Sequence, residues 1–298
     1  MKTFFRRTIC PKCNSSHDPI EDKCPRCGEP NPEFTDYDPF KFHLRDTIPW
    51  QILYFVIGWL GFQLLGITIQ LIIQAGFGIS HPEATKEELV AFMNTVGVNF
   101  AITGIAYLLL FGAFILILCL RKRMHGLLKT FTNWLPYVVG IGGGIALLGV
   151  SLAYGLLADA LMKLANIVPS VNENETVVRA MVQGFPVLSI FLFGIIGPFC
   201  EEITYRVGLF GFTSRLGKVL AYIISALVFA FIHFGWTTLF GGTRDDILIE
   251  LINIPSYIIA GLGLALLYDR CGFCASFLAH VTNNMVSVIS NLIVGGGA

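Results

Sequence analysis

The chain has 298 residues, of which 54% are hydrophobic and 13% charged, with zero formal net charge and a mean hydropathy of +0.69. That balance excludes an ordinary soluble domain and places the chain among membrane proteins. A zero net charge gives no electrostatic basis for nucleic-acid binding, and no nucleic-acid partner is expected.

Residues 1–32 are polar and rich in cysteine and proline. Cys10-Pro11-Lys12-Cys13 and Cys24-Pro25-Arg26-Cys27 are two CxxC knuckles separated by ten residues. This spacing can close a tetrahedral site of four thiolates, with zinc as the natural occupant and a structural role, since no coordination position stays open. So short a segment has too little core to fold alone, and metal binding would supply the folding free energy. A protein partner for this zinc ribbon is one possible use of it. No long apolar run follows Met1-Lys2-Thr3, so no cleavable signal peptide is expected. Residues 33–48 form an acidic, aromatic linker.

From residue 49 to 298 the composition is that of a membrane-embedded domain in contact with lipid. A spanning helix needs about 20 apolar residues, and seven stretches qualify. They run from Trp50 to about Ala75, Thr95 to Leu120, Trp134 to Leu161, from near Phe185 onward, Val219 to Leu239, Leu248 to Tyr268, and Phe273 to Ile293. Asn253 and Pro255 weaken the start of the sixth. The expected fold is all-α: a polytopic helix bundle of about seven spans preceded by the ribbon. The loops 1–49, 121–133, 206–218 and 269–272 hold sixteen of the twenty Lys and Arg residues, which predicts a cytoplasmic N-terminus. Gly140-Ile141-Gly142-Gly143-Gly144 suits close helix packing.

Ionisable groups at membrane depth are costly unless they face protein or a cavity. Six polar positions recur in order: Glu201-Glu202-x-x-x-Arg206, His233, and His280-x-x-x-Asn284. Glu202 and Arg206 share a helical face and can pair, while Glu201 points about 100° away toward a cavity. Such a carboxylate suits a general base. His280 and Asn284 share a face and offer two donors to a developing oxyanion, with Asn283 pointing elsewhere. Taken singly, each feature also fits interhelical bonding. Cys200 precedes Glu201 on another face with no second constellation, so water is the more economical nucleophile. Cys119 is a single cysteine in apolar surroundings. Cys271-x-x-Cys274 has metal spacing without a second pair and reads as helix packing.

The motifs Glu201-Glu202-Ile203-Thr204-Tyr205-Arg206, Phe229-Ala230-Phe231-Ile232-His233 and His280-Val281-Thr282-Asn283-Asn284 together resemble the CAAX prenyl endopeptidase family and its bacteriocin-processing and abortive-infection relatives, over roughly residues 185 to 290. The resemblance implies an intramembrane glutamate protease in which Glu201 and His233 activate a water, His280 and Asn284 hold the oxyanion, and Glu202 and Arg206 support the site. It implies no cofactor for catalysis, and no His-Glu-x-x-His zinc motif is present. The expected substrate is a membrane-associated peptide or protein, and the expected location is a bacterial cell membrane. The alternative is a non-catalytic membrane scaffold or immunity protein.

Overall fold

The computed structural model describes residues 8–17, 23–31 and 46–295. The expected linker falls largely outside them. At the N-terminus, β1 (Thr8–Ile9) and β2 (Ser16–His17) pair antiparallel across the first cysteine knuckle. Residues 23–31 form turns closed by a bridge between Lys23 and Pro30, and from Ile48 on the chain is mainly helical: α1 (Ile48–Ser80), α2 (Lys86–Met93), α3 (Val96–Leu120), α4 (Met124–Lys129), α5 (Leu135–Leu164), α6 (Glu173–Gly184), α7 (Pro186–Thr213), α8 (Lys218–Phe231) and α9 (Thr238–Gly241). A last stretch, Arg244–Gly295, breaks at Gly272, whose φ of 81° and ψ of −176° suit glycine alone. The break gives α10 (244–271) and α11 (273–295).

Six of the seven expected apolar stretches are therefore helical over most of their length, the fifth is continuously helical only in its first part, and fewer than seven have full spanning length. Among the described residues, five helices are long and apolar enough to cross a membrane, counting α10 and α11 as one. The fifth expected span, Val219 to Leu239, instead ends as a helix at Phe231. The sixth begins earlier than expected, at Arg244, where Thr243 and Asp246 cap it reciprocally (Thr243 N to Asp246 Oδ2, 2.8 Å; Asp246 N to Thr243 Oγ1, 3.3 Å). It also passes through Pro255 without stopping. A proline removes one N–H from the helix ladder. Here Asn253 Nδ2 donates to the Ile249 carbonyl at 2.8 Å and Tyr154 Oη to the Ile252 carbonyl at 2.7 Å, so side chains serve nearby carbonyls.

Helix α7 is the axis of the bundle. In its most apolar window 61% of residues are buried, against 17–28% in the other spans. It widens into π-helical turns at Leu192–Ile196 and Glu202–Phe210. The first precedes Pro198, whose ring would clash with an ordinary preceding turn. Helix α1 lies against the second: a Cβ on Gly208 would meet Phe55 N at 2.8 Å and Gln51 O at 3.0 Å. The main core joins Tyr54, Phe114, Phe199, Ile203, Val207 and Phe273. The expected glycine packing occurs on α5. A Cβ on Gly140 would meet Ala275 O at 2.8 Å, and one on Gly144 would meet Ala279 O at 2.7 Å. This seats α5 directly against the part of α11 that carries His280.

The loops that the charge bias groups together meet at one end of the bundle. Asp46, fully buried, accepts from Tyr54 Oη at 3.1 Å and Arg121 Nη2 at 3.2 Å, while Arg215 donates to its carbonyl at 3.2 Å. Lys218 pairs with Asp269 at 2.8 Å. Arg206 departs from the expected loop 206–218. It is a fully buried part of α7, because its charge is matched inside the protein.

Candidate active site

The two adjacent glutamates diverge at the start of the second π-helical turn of α7. Glu202 is fully buried, whereas the Glu201 side chain keeps 13% exposure and lines a cavity of about 760 Å³. Glu202 Oε1 accepts from His280 Nδ1 at 3.0 Å, and Oε2 accepts from the Ser276 hydroxyl. Arg206 Nε lies 3.4 Å from Glu202 Oε2, its Nη1 donates to Ser225 Oγ at 2.8 Å, and its guanidinium covers the Phe229 ring at 5.0 Å. One buried ion pair thus ties α7 to α8 and α11. Removing either charge would strand the other in a medium that solvates it poorly.

Glu201 Oε1 accepts from Tyr107 Oη at 2.9 Å, and Oε2 lies 3.6 Å from His280 Nε2. His280 therefore bridges the two carboxylates. It is buried with Glu202 and Arg206 behind the cavity surface, while Glu201, His233 and Asn284 line the cavity.

His233 sits in the turn after α8. Its Nδ1 is 2.8 Å from the Phe229 carbonyl oxygen. A carbonyl only accepts, so Nδ1 carries a proton, and in the neutral form of the ring Nε2 is the bare nitrogen. The ring stacks on Tyr257 with centroids 4.5 Å apart. Asn172 Nδ2 donates to the His233 carbonyl at 2.7 Å, and Tyr257 Oη donates to Asn172 Oδ1 at 3.2 Å. Glu250, nearly fully buried, accepts from Gly235 N at 2.9 Å and Glu173 N at 2.7 Å. These side chains satisfy backbone groups of the turn after α8 and of the start of α6, which allows the chain to turn inside the protein. Asn284 Nδ2 donates to the Phe193 carbonyl at 3.1 Å. Asn283, expected to point elsewhere, lines the same cavity and donates to Asn284 Oδ1 at 3.4 Å.

Sequence reasoning passed over Tyr107, Asn172, Ser225, Glu250, Tyr257 and Ser276. Two carried a readable signal: Ser276 stands four residues before His280, and Glu250 is a lone carboxylate in an apolar stretch.

At the N-terminus the Sγ atoms of Cys10, Cys13, Cys24 and Cys27 all lie within 4.8 Å of one another. Cys10 and Cys27 are 3.5 Å apart, and Cys13 and Cys24 3.6 Å apart. A tetrahedral ion with bonds of about 2.3 Å sets its sulfurs roughly 3.8 Å apart, so these residues could hold a metal. Each knuckle turns through a left-handed residue, Asn14 (φ 53°) or Gly28 (φ 71°), whose N–H returns to the carbonyl of the knuckle's first cysteine. The Ser15 hydroxyl lies 3.0 Å from both Cys13 and Cys24 and holds the Cys24 thiol down to about 5. Among the described residues this is the only group of three or more His, Cys, Asp or Glu side chains close enough to share an ion. Cys274 is buried in the bundle beside the Gly272 break.

Comparison with known sequences bears on this arrangement. The model of the type II CAAX prenyl endopeptidase Rce1-like family matches residues 183–286, the stretch from the end of α6 into α11. An uncharacterized protein of Mycoplasma capricolum is 29% identical over 169 residues, covering 54% of this chain and 46% of the relative. The UPF0177 protein YxdF of Lactococcus lactis is 30% identical over 125 residues, covering 41% of this chain and 67% of the relative. The match thus spans about half of the first relative and two thirds of the second. No solved structure matches.

Proposed function

The chain is a homologue of the UPF0177 proteins and carries a type II CAAX prenyl endopeptidase Rce1-like domain at residues 183–286, and from that premise we propose that it is an integral membrane endopeptidase that hydrolyses a peptide bond of a membrane-associated protein or peptide. The observation that carries this reading is that a carboxylate and an imidazole, Glu201 and His233, line one cavity, with the His233 Nδ1 engaged by the Phe229 carbonyl.

In this mechanism a water lies between Glu201 and His233 Nε2. Glu201 takes its proton as the water oxygen bonds to the scissile carbonyl carbon. The carbonyl oxygen becomes an oxyanion. It accepts from Asn284 Nδ2, which has a second hydrogen besides the one given to Phe193, whereas His280, expected from sequence as a second donor, stands behind the cavity surface between the two carboxylates. Collapse breaks the carbon–nitrogen bond, and the proton held at Glu201 passes to the leaving amine. Glu202 and Arg206 orient His280 as a buried unit, and Tyr107 orients Glu201. The active site needs no cofactor for these steps.

The ribbon, residues 1–32, holds a structural zinc, since four convergent thiols are soft ligands that suit that ion. The linker is 33–48 and the membrane domain 49–298. The basic end of the bundle and the N-terminus face the cytoplasm of a bacterial cell. A membrane peptide or bacteriocin-like precursor is the preferred substrate, since bacteria generally lack prenylated CAAX proteins. The test compares peptide termini by mass spectrometry in membranes holding the wild type or Glu201→Gln at equal abundance. Termini that vanish with the substitution support proteolysis and identify the substrate. Unchanged termini, under conditions where the protein matters to the cell, favour the scaffold alternative.

A further inference from the structure

The cavity shared by Glu201, His233 and Asn284 extends well past them. Along α11, His280, Asn284, Ser287 and Asn291 follow at spacings of four, three and four, which puts them on one helical face. The last three line the cavity, and its other walls bring Gln63 from α1, Thr103 from α3 and Ser151 from α5. Ser287, Asn291, Gln63, Thr103 and Ser151 make no side-chain hydrogen bond among the described residues, although each belongs to a helix of spanning length and composition. Elsewhere in the spanning helices hydroxyls fold back on their own backbone, as Thr68 does to the Leu64 carbonyl and Thr213 to the Leu209 carbonyl, both at 2.7 Å, and in the cavity wall Thr204 does the same to the Cys200 carbonyl.

Polar groups at membrane depth are satisfied by protein, water or ligand. Protein leaves these five unsatisfied, and all five meet in one cavity. All are neutral, and each can both donate and accept. That suits the alternating N–H and C=O groups of peptide main chain, whereas an anionic headgroup would call for arginine or lysine on the stripe. A helical segment could not use such a surface, because its main-chain groups are already bonded to each other.

We propose that this face of α11 is a track for an extended segment of substrate main chain, running from the reacting centre along Asn284, Ser287 and Asn291. The offset from Asn284 to Asn291 is about 10 Å along the helix axis, the reach of roughly three residues of extended chain. The track selects substrate regions that leave the helical conformation. Ser287 and Asn291 lie beyond the matched residues 183–286, so the far half of the track is outside the family-wide stretch. The inference rests on the reading of this cavity as the active site.

The test measures retention of a fluorescent, capped decapeptide pool of mixed Ala, Leu, Val and Ser by the full-length chain in lipid nanodiscs, in a Glu201→Gln background that prevents cleavage. The same pool with alternate amides N-methylated serves as comparison. The expected result is retention of the plain pool, weaker by about tenfold after N-methylation or with Ser287→Ala and Asn291→Leu combined, at unchanged thermal unfolding. Should the double variant fail to fold, Ser287→Ala alone carries the comparison with a smaller loss. No retention, equal retention of both pools, or retention indifferent to the variants overturns the track and leaves it a water path. Retention without Glu201-dependent termini in cells would keep the track and overturn the catalytic reading. Glu201-dependent termini without retention would do the reverse.

Discussion

Tyr107 contributes to Glu201 through a single atom, so its role can be isolated. Tyr107→Phe removes the 2.9 Å bond and keeps the ring that packs on Phe62. The expected outcome is a fall in turnover of about tenfold, with thermal stability changed by no more than about 1 kcal/mol. A cleavage assay on the substrate found by terminus comparison, run beside thermal unfolding in detergent, checks both halves. Arg206 should behave in the opposite way. Arg206→Ala leaves Glu202 buried without its cation and should cost about 3–5 kcal/mol, seen as a lower unfolding temperature. Arg244→Ala serves as its control and should cost almost nothing, because Arg244 and its neighbour Asp245 are both largely exposed. The pairing of Glu202 with Arg206 was legible in the sequence, since four residues on a helix bring side chains together. The contact of Tyr107 with Glu201 was not, because 94 residues separate them and nothing local distinguishes that tyrosine.

At the scale of elements, two neighbouring glycines of α5 should respond differently. Around Gly142 a new Cβ meets nothing within 4 Å, while at Gly144 it meets the Ala279 carbonyl at 2.7 Å. Gly142→Ala should be neutral or slightly stabilising, and Gly144→Val should cost about 1–3 kcal/mol and displace the His280 helix. Unfolding and cleavage measured together on both variants decide this. The turn after α8 is the second such element. Asn172→Ala releases the His233 carbonyl and should lower cleavage by at least about tenfold, because a small misplacement of a reacting group is costly. A cleavage rate equal to wild type would show that the turn holds His233 unaided. Hydropathy alone placed the end of this helix at Leu239, eight residues too far. Many residues after Phe231 remain apolar, yet the chain turns there, and Asn172 before α6 and Glu250 of α10 bind the His233 carbonyl and the Gly235 N–H of that turn.

For the molecule as a whole, the ribbon and the bundle depend on different forces. The purified chain should carry one zinc per molecule by elemental analysis, and Cys24→Ser should remove it, because three thiolates and a hydroxyl bind zinc far less well. The helices of the membrane domain should unfold at the same temperature with or without that ion. A change in their unfolding on metal loss would mean that the ribbon supports the bundle.

Composition, motif spacing and charge bias determined much about this chain before any coordinates. They established the membrane class, the all-helical bundle and the four-cysteine group, and they singled out six polar positions as candidates, because each depends on residues near one another in sequence or on bulk hydrophobicity. Tertiary structure decided the rest. It placed Arg206 in the core, ended α8 early, set His280 between two carboxylates, and brought Tyr107, Asn172 and Glu250 to residues far away in the chain. The physical reason is shared by all of these. In an apolar interior a polar group persists only where partners are met, and those partners come from helices whose meeting is set by packing rather than by position in the sequence.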